Sequence, residues 1–153
     1  MIPALLLVLL QAATAGALRS PQAPLARVEA VRRSAPVKPG TPVPLKVTVT
    51  PREGIHIYAP PQERYIPVSL TIEPIPDGHA GSVRFPPAVV RMFAGERVRV
   101  YDKAFSLAVP VTVPPGRPGA AVRVLGTVRY QACDDLMCYR PVNVPVRWDL
   151  RLQ

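Results

Sequence analysis

The stretch Phe105-Ser106-Leu107-Ala108-Val109-Pro110-Val111-Thr112-Val113 alternates without a break. Phe105, Leu107, Val109, Val111 and Val113 fall on one side, and Ser106, Ala108, Pro110 and Thr112 on the other. Successive side chains of a strand point to opposite faces, so this run makes a ribbon with one apolar and one polar face. The same period recurs on both sides of it. Towards the C-terminus, Val122, Val124, Val128 and Tyr130 share one parity, as do Val142, Val144, Val146, Trp148 and Leu150. Towards the N-terminus, the apolar sets are Val98 and Val100, then Val68, Leu70 and Ile72, then Ile55 and Ile57, then Leu45, Val47 and Val49. A less regular strand is expected over about Leu25–Arg33. Turn signals separate these runs: Lys38-Pro39-Gly40, Arg52-Glu53-Gly54, Pro76-Asp77-Gly78, Ala94-Gly95-Glu96 and Pro114-Pro115-Gly116.

Short strands with one apolar face each must bury those faces against one another. The expected architecture is therefore all-β: an immunoglobulin-like antiparallel β-sandwich. The composition agrees. The 153 residues include 21 Pro, and an interior Pro costs a helix about 3 kcal/mol. Pro110 and Pro145 lie on the polar parity of their strands and predict edge strands or bulges, because Pro cannot donate to a ladder.

The first residues do not read as fold. The apolar run Ala4–Leu10 is followed by small residues ending Ala15-Gly16-Ala17, the pattern of a secretory signal over residues 1–17 with Leu18 opening the mature chain. Residues 18–24 read as a flexible lead-in, and residues 25–153 as one domain. No later stretch approaches the ~18 apolar residues of a membrane span, so no span is expected after cleavage. The expected location is periplasmic or secreted, where a disulfide persists.

The formal charge is +9. The arginines Arg97, Arg99, Arg123, Arg147 and Arg151 are scattered over outward strand positions with no aromatic platform, so a solvated basic surface is expected and no nucleic-acid partner. No phosphate-cradling Gly-rich loop, Gly-x-Ser-x-Gly elbow or Ser-His-Asp arrangement is present. His79 follows Asp77-Gly78 and reads as a solvated loop residue. Tyr130 and Trp148 read as core.

Chemistry concentrates in Tyr130-Gln131-Ala132-Cys133-Asp134-Asp135-Leu136-Met137-Cys138-Tyr139-Arg140-Pro141. Cys133 and Cys138 flank four residues. In a hairpin they face each other at a Cα separation a disulfide accepts. Their parities disagree: Cys133 follows polar Arg129 and Gln131, whereas Cys138 precedes apolar Val142 and Val144. An odd residue must be absorbed, and irregular backbone is expected between Cys138 and Val142, with Pro141 as the break. Such a small ring removes unfolded-state entropy worth only on the order of 2 kcal/mol. A ring at a loop tip is expected to be accessible, which favours exchange. A structural bridge in a binding sandwich stays open beside a redox-active one on spacing alone. A third possibility uses Cys133, Met137 and Cys138 as soft ligands for Cu(I). The two cysteines and two histidines match no zinc spacing, and neither a resident metal nor a cofactor is expected.

The cysteine segment, with Gly54-Ile55-His56-Ile57-Tyr58-Ala59, resembles the N-terminal periplasmic domain of the thiol:disulfide interchange protein DsbD. The order of elements agrees over about Val28 to Leu150. The resemblance implies an immunoglobulin-like domain that receives reducing equivalents from a thioredoxin-like donor and passes them to periplasmic disulfide-containing acceptor proteins. It implies protein-disulfide reductase activity through one Cys pair. Cys138 would form the mixed disulfide and Cys133 would resolve it. Phe93, in Met92-Phe93-Ala94-Gly95, matches a shielding cap phenylalanine. Tyr58 and His56 match aromatics packed beside the pair, and Tyr139 borders it next to Cys138. The chain departs from the family at Tyr139-Arg140, where a second proline is common, and at Ala94, where a tyrosine is frequent. The family's membrane and thioredoxin-like domains are not in these residues, so either the donor is a separate protein or the relay role has been lost.

Overall fold

The computed structural model describes residues 24–93 and 95–153. The signal reading over residues 1–17, nearly all of the lead-in and Ala94 lie outside the described residues. The described residues form eleven strands: β1 Ala26–Ala30, β2 Val43–Pro51, β3 His56–Tyr58, β4 Ser69–Ile72, β5 His79–Ala80, β6 Val89–Phe93, β7 Glu96–Tyr101, β8 Phe105–Thr112, β9 Ala121–Tyr130, β10 Ala132–Cys133 and β11 Val142–Arg151. All their pairings are antiparallel.

Two sheets, ordered β1-β2-β8-β5 and β11-β9-β4, close over one core. Leu45, Val47 and Val49 from β2 and Leu107, Val109 and Val111 from β8 meet Leu70, Val124, Val128, Tyr130, Trp148 and Leu150 there. The Trp148 indole donates to the Lys46 carbonyl at 2.9 Å, and the Tyr130 hydroxyl to the Ala26 carbonyl at 3.3 Å. Each bond ties one sheet to the other. This is the immunoglobulin-like sandwich that the alternation predicts.

A third sheet, ordered β10-β3-β7-β6, is built on the sandwich and carries both faces of a different kind. Ile57 of β3 pairs with Ala132 on one side and Tyr101 on the other, and all three are buried in the main core. Their neighbours of opposite parity, Tyr58, Val100 and Cys133, form a second buried cluster with Val98. One ribbon thus serves two interiors.

The strand expectations need several corrections. β5, β6 and β10 are strands that alternation does not reveal. β6 is exposed along nearly all its length, so neither face selects for apolar residues and no period of two arises. His79, expected in a loop, is in strand β5 but exposed. Pro145 is on the edge strand β11, as expected, whereas Pro110 lies in β8, between β2 and β5. Pro110 stands opposite Pro44, and its carbonyl accepts from Gly81 on the β5 side. The Pro110–Pro44 pair is therefore a non-hydrogen-bonded one, and no donor towards β2 is lost.

Candidate functional site

The cysteine segment is built where the chain changes sheets. β9 ends at Tyr130, paired with Val142 of β11. After Gln131 the chain joins β3 instead, so Cys133 stands opposite His56. Cys133 keeps the expected parity of Arg129 and Gln131, away from the main core, but the face there is covered and not polar. Cys133 is fully buried, because the outer face of the strand is covered by a second cluster with Tyr58, Val98 and Val100 once it pairs with β3. On its other side Cys133 forms an antiparallel bridge with Cys138. The two sulfurs are joined in a disulfide with the Cα atoms 4.0 Å apart. Residues 139–141 have no regular structure, which is the irregular backbone expected before Val142. Gln131 and Ala132 fix that return. The Gln131 side-chain amide donates to the Tyr139 carbonyl at 3.0 Å, and the Tyr139 amide donates to the Ala132 carbonyl at 2.8 Å.

The ring is not uniformly accessible as expected. Cys133 has no exposed surface, while Cys138 is partly exposed. The loop between them points its apolar residues outward: Leu136 is 91% exposed and Met137 53%. Met137 is thus directed to solvent, and the two sulfurs that would join it as soft ligands are bridged to each other.

Asp134 organises this loop. Its Oδ1 accepts from the amides of Leu136 and Met137, both at 2.8 Å, and its Oδ2 accepts from the Tyr139 hydroxyl at 2.7 Å. The Asp134 amide donates in turn to the Met137 carbonyl. The Tyr139 hydrogen bond first, then those from the two amides, hold the Asp134 carboxyl below its ordinary range. The same bond to the carboxylate pushes the Tyr139 phenol up. An Asp opening a four-residue loop is a recognised turn former, so this role had a signal in the sequence.

Four aromatic rings cover the face shared by the disulfide. His56 meets Tyr58 edge-on at 5.4 Å and Phe93 at 5.6 Å. Tyr65 stacks on Tyr58 with centroids 4.1 Å apart and meets Phe93 edge-on at 6.1 Å. Cys138, Phe93 and Tyr65 are the partly buried rim around the cluster of Tyr58, Val98, Val100 and Cys133. The structure therefore gathers Cys133, Cys138, Phe93, Tyr58 and His56 on one face, with Tyr139 bound to the loop beside them. Phe93 ends β6 and pairs with Glu96 of β7. Gly95 in the turn between them has φ +79, a conformation open to Gly at little cost.

Tyr65 is a site residue that the sequence does not announce. It lies in the Pro-containing segment between β3 and β4, without periodicity. Arg64 beside it pairs with Glu96, which links this segment to the start of β7. Arg91 of β6 pairs with Asp102. These two residues, with His56, Phe93 and Asp135, border an open depression of about 580 Å³.

Among the described residues, two buried side-chain polar atoms lack a hydrogen-bond partner: His56 Nε2 and the Tyr58 hydroxyl. Each such group costs about 1–3 kcal/mol when buried unsatisfied. Burial lowers the His56 pKa below 6.5, against the opposing pull of Asp135, Asp134 and Asp102. Burial, then the neighbouring Tyr65, pushes the Tyr58 phenol up to about 12. Both side chains are therefore mainly neutral at pH 7. Among the described residues there is no metal-binding cluster of His, Cys, Asp and Glu, and no helix is long and apolar enough to cross a membrane.

A family model described as "Thiol:disulfide interchange protein DsbD, N-terminal" matches residues 22–147. No curated protein matches the chain. The reduced DsbD N-terminal domain of Neisseria meningitidis is 18% identical with a TM-score of 0.48, over 70% of this chain and 75% of that one. A second structure from that organism, the DsbD N-terminal domain in complex with the PilB N-terminal domain, is 19% identical with a TM-score of 0.48, over 67% and 71%. The N-terminal periplasmic domain of ScsB from Proteus mirabilis is 15% identical with a TM-score of 0.53, over 83% of this chain and 45% of that one. The last likeness is one of fold.

Proposed function

The chain belongs to the family of DsbD N-terminal domains, and from that membership we propose that it is a thiol–disulfide exchange domain. It accepts reducing equivalents from a thioredoxin-like protein and passes them to disulfide-containing proteins of the periplasm. The observation that supports this most is the unequal burial of the bridged sulfurs, Cys133 covered and Cys138 partly open.

The chemistry follows from that inequality. A donor thiolate attacks Cys138 Sγ, and Cys133 Sγ leaves with the bonding electron pair. A second donor thiolate then attacks the donor sulfur of the mixed disulfide. The donor departs oxidised and Cys138 is released. In the forward relay, the Cys138 thiolate attacks one sulfur of an acceptor disulfide, and the other acceptor sulfur leaves. Cys133 then attacks Cys138 Sγ, the ring closes again, and the acceptor departs as a dithiol. Phe93, Tyr65 and Tyr58 shield the pair, and Tyr139 steadies the loop through Asp134.

Trapping tests the proposal. Cys133→Ser removes the resolving thiol, so a mixed disulfide through Cys138 should accumulate in periplasmic extracts and be released by dithiothreitol. No adduct in any redox buffer would overturn the reading. The potential of the pair separates it from a structural staple, because structural bridges lie below about −300 mV whereas exchanging pairs lie nearer −200 mV.

A further inference from the structure

We infer that His56 is the proton acceptor for Cys133, an inference that rests on the exchange function proposed above. The argument begins with register. Cys133 stands directly opposite His56 in the β10–β3 pair and opposite Cys138 on its other side. Directly opposed residues of antiparallel strands project to the same face. His56, Cys133 and Cys138 therefore occupy successive positions across three segments and project to one face, with the buried cysteine in the middle.

The second observation is the unspent nitrogen. His56 Nε2 is buried and has no hydrogen-bond partner while the cysteines are bridged. A bridged sulfur carries no proton to donate. On reduction Cys133 acquires one, and the imidazole is the neutral base on its face. Tyr58, the other unpartnered group there, has its pKa near 12 and is a poor base at neutral pH. The charged groups around His56 are Asp134 and Asp135 from the loop, Asp102 after β7 and Arg91 on β6. Burial outweighs the three carboxylates and keeps the imidazole mainly neutral at pH 7, the form that accepts a proton.

The step balances. In the mixed disulfide between Cys138 and an acceptor, Cys133 is a thiol. Its proton moves to His56. The resulting thiolate attacks Cys138 Sγ, the bond from Cys138 to the acceptor breaks, and the acceptor sulfur leaves as a thiolate. The imidazolium then gives its proton to solvent or to that departing sulfur. In the reverse direction the imidazolium protonates Cys133 as it leaves. A buried thiol without such a neighbour ionises only at high pH, so His56 supplies what the burial of Cys133 removes.

The test uses the Cys138→Ser protein, in which Cys133 is the sole thiol. The Cys133 Cβ and His56 Cε1 carbon-13 shifts are followed against pH. The expected result is that the Cys133 curve shows a step at the pH where His56 titrates. In Cys138→Ser with His56→Phe, which keeps a ring for Tyr58 and Phe93, that step should vanish and the thiol should ionise at least one pH unit higher. His56→Gln, which keeps a hydrogen-bonding group but no base, should also lose the step. A Cys133 curve unchanged in either variant overturns the inference. The exchange reading fails separately. A coupled titration without any mixed disulfide in the Cys133→Ser trap would leave the proton coupling standing and remove its use in exchange.

Discussion

The two interiors of this domain treat their polar aromatic groups differently. In the main core, the Trp148 indole, the Tyr130 hydroxyl and the Tyr101 hydroxyl each donate to a backbone carbonyl, of Lys46, Ala26 and Pro86. In the smaller interior beneath the disulfide, Tyr58 is fully buried and His56 half-buried, and each keeps a buried atom unpaired. The first arrangement is what folding stability selects, since an unsatisfied buried group is costly. The second gives up some stability and leaves neutral, unengaged groups beside the two bridged sulfurs, as the exchange function proposed above would use them. The difference separates the scaffold of this molecule from the site proposed for exchange.

Substitutions can break that contrast or sharpen it. The largest effect is expected from Trp148→Ala. It removes a buried indole and a bond between sheets, and should cost about 3–5 kcal/mol in a denaturant titration. The potential of the Cys pair in the remaining folded protein should stay at its wild-type value. A shifted potential would mean that the two interiors are coupled.

A smaller effect separates two tyrosines. Tyr130→Phe strands the Ala26 carbonyl and should cost about 1 kcal/mol. Tyr58→Phe removes a hydroxyl that has no partner, and should be neutral or stabilising by up to about 1 kcal/mol. Equal losses from both, measured by urea unfolding of the oxidised protein, would end the distinction between a satisfied core and an unsatisfied site.

The smallest effect concerns the loop. The folded-state pKa of Asp134 is depressed, so its contribution is present above the unfolded value of about 3.9 and is lost as pH falls through the folded value. Asp134→Asn keeps an acceptor oxygen but not the charge. The wild type should therefore lose more stability than Asp134→Asn between pH 6 and pH 2.5, as read from their denaturation midpoints. Identical losses would show that the carboxylate does not hold the loop.

Much of the fold was legible because alternation is a local property. Leu107, Val109, Val111, Val146, Trp148 and Leu150 declare a strand and its buried face without reference to anything distant, and all six are buried. β6 was not legible, because Val89, Val90 and Met92 are exposed and no core imposes a period on them. The site was legible in part. Cys133 and Cys138 pair because the chain has two cysteines at hairpin spacing, and His56, Tyr58, Phe93 and Tyr139 were named through a family resemblance. Tyr65 had neither signal. Its place on Tyr58 comes from a loop whose path is set by distant bonds, such as the Gln62 side chain on the Arg99 carbonyl.

By itself the sequence determined the strand-forming runs, the all-β class, the single possible disulfide and the break before Val142. Only the tertiary structure decided that the chain leaves the β9 sheet at Gln131 and pairs Cys133 with His56. That choice buries one sulfur, leaves the other at the surface, and sets an imidazole opposite the hidden one. Periodicity says which residues share a face within one strand. It carries no information about which strand is alongside, because hydrogen bonds between segments some 75 residues apart are chosen by the packing of the whole domain.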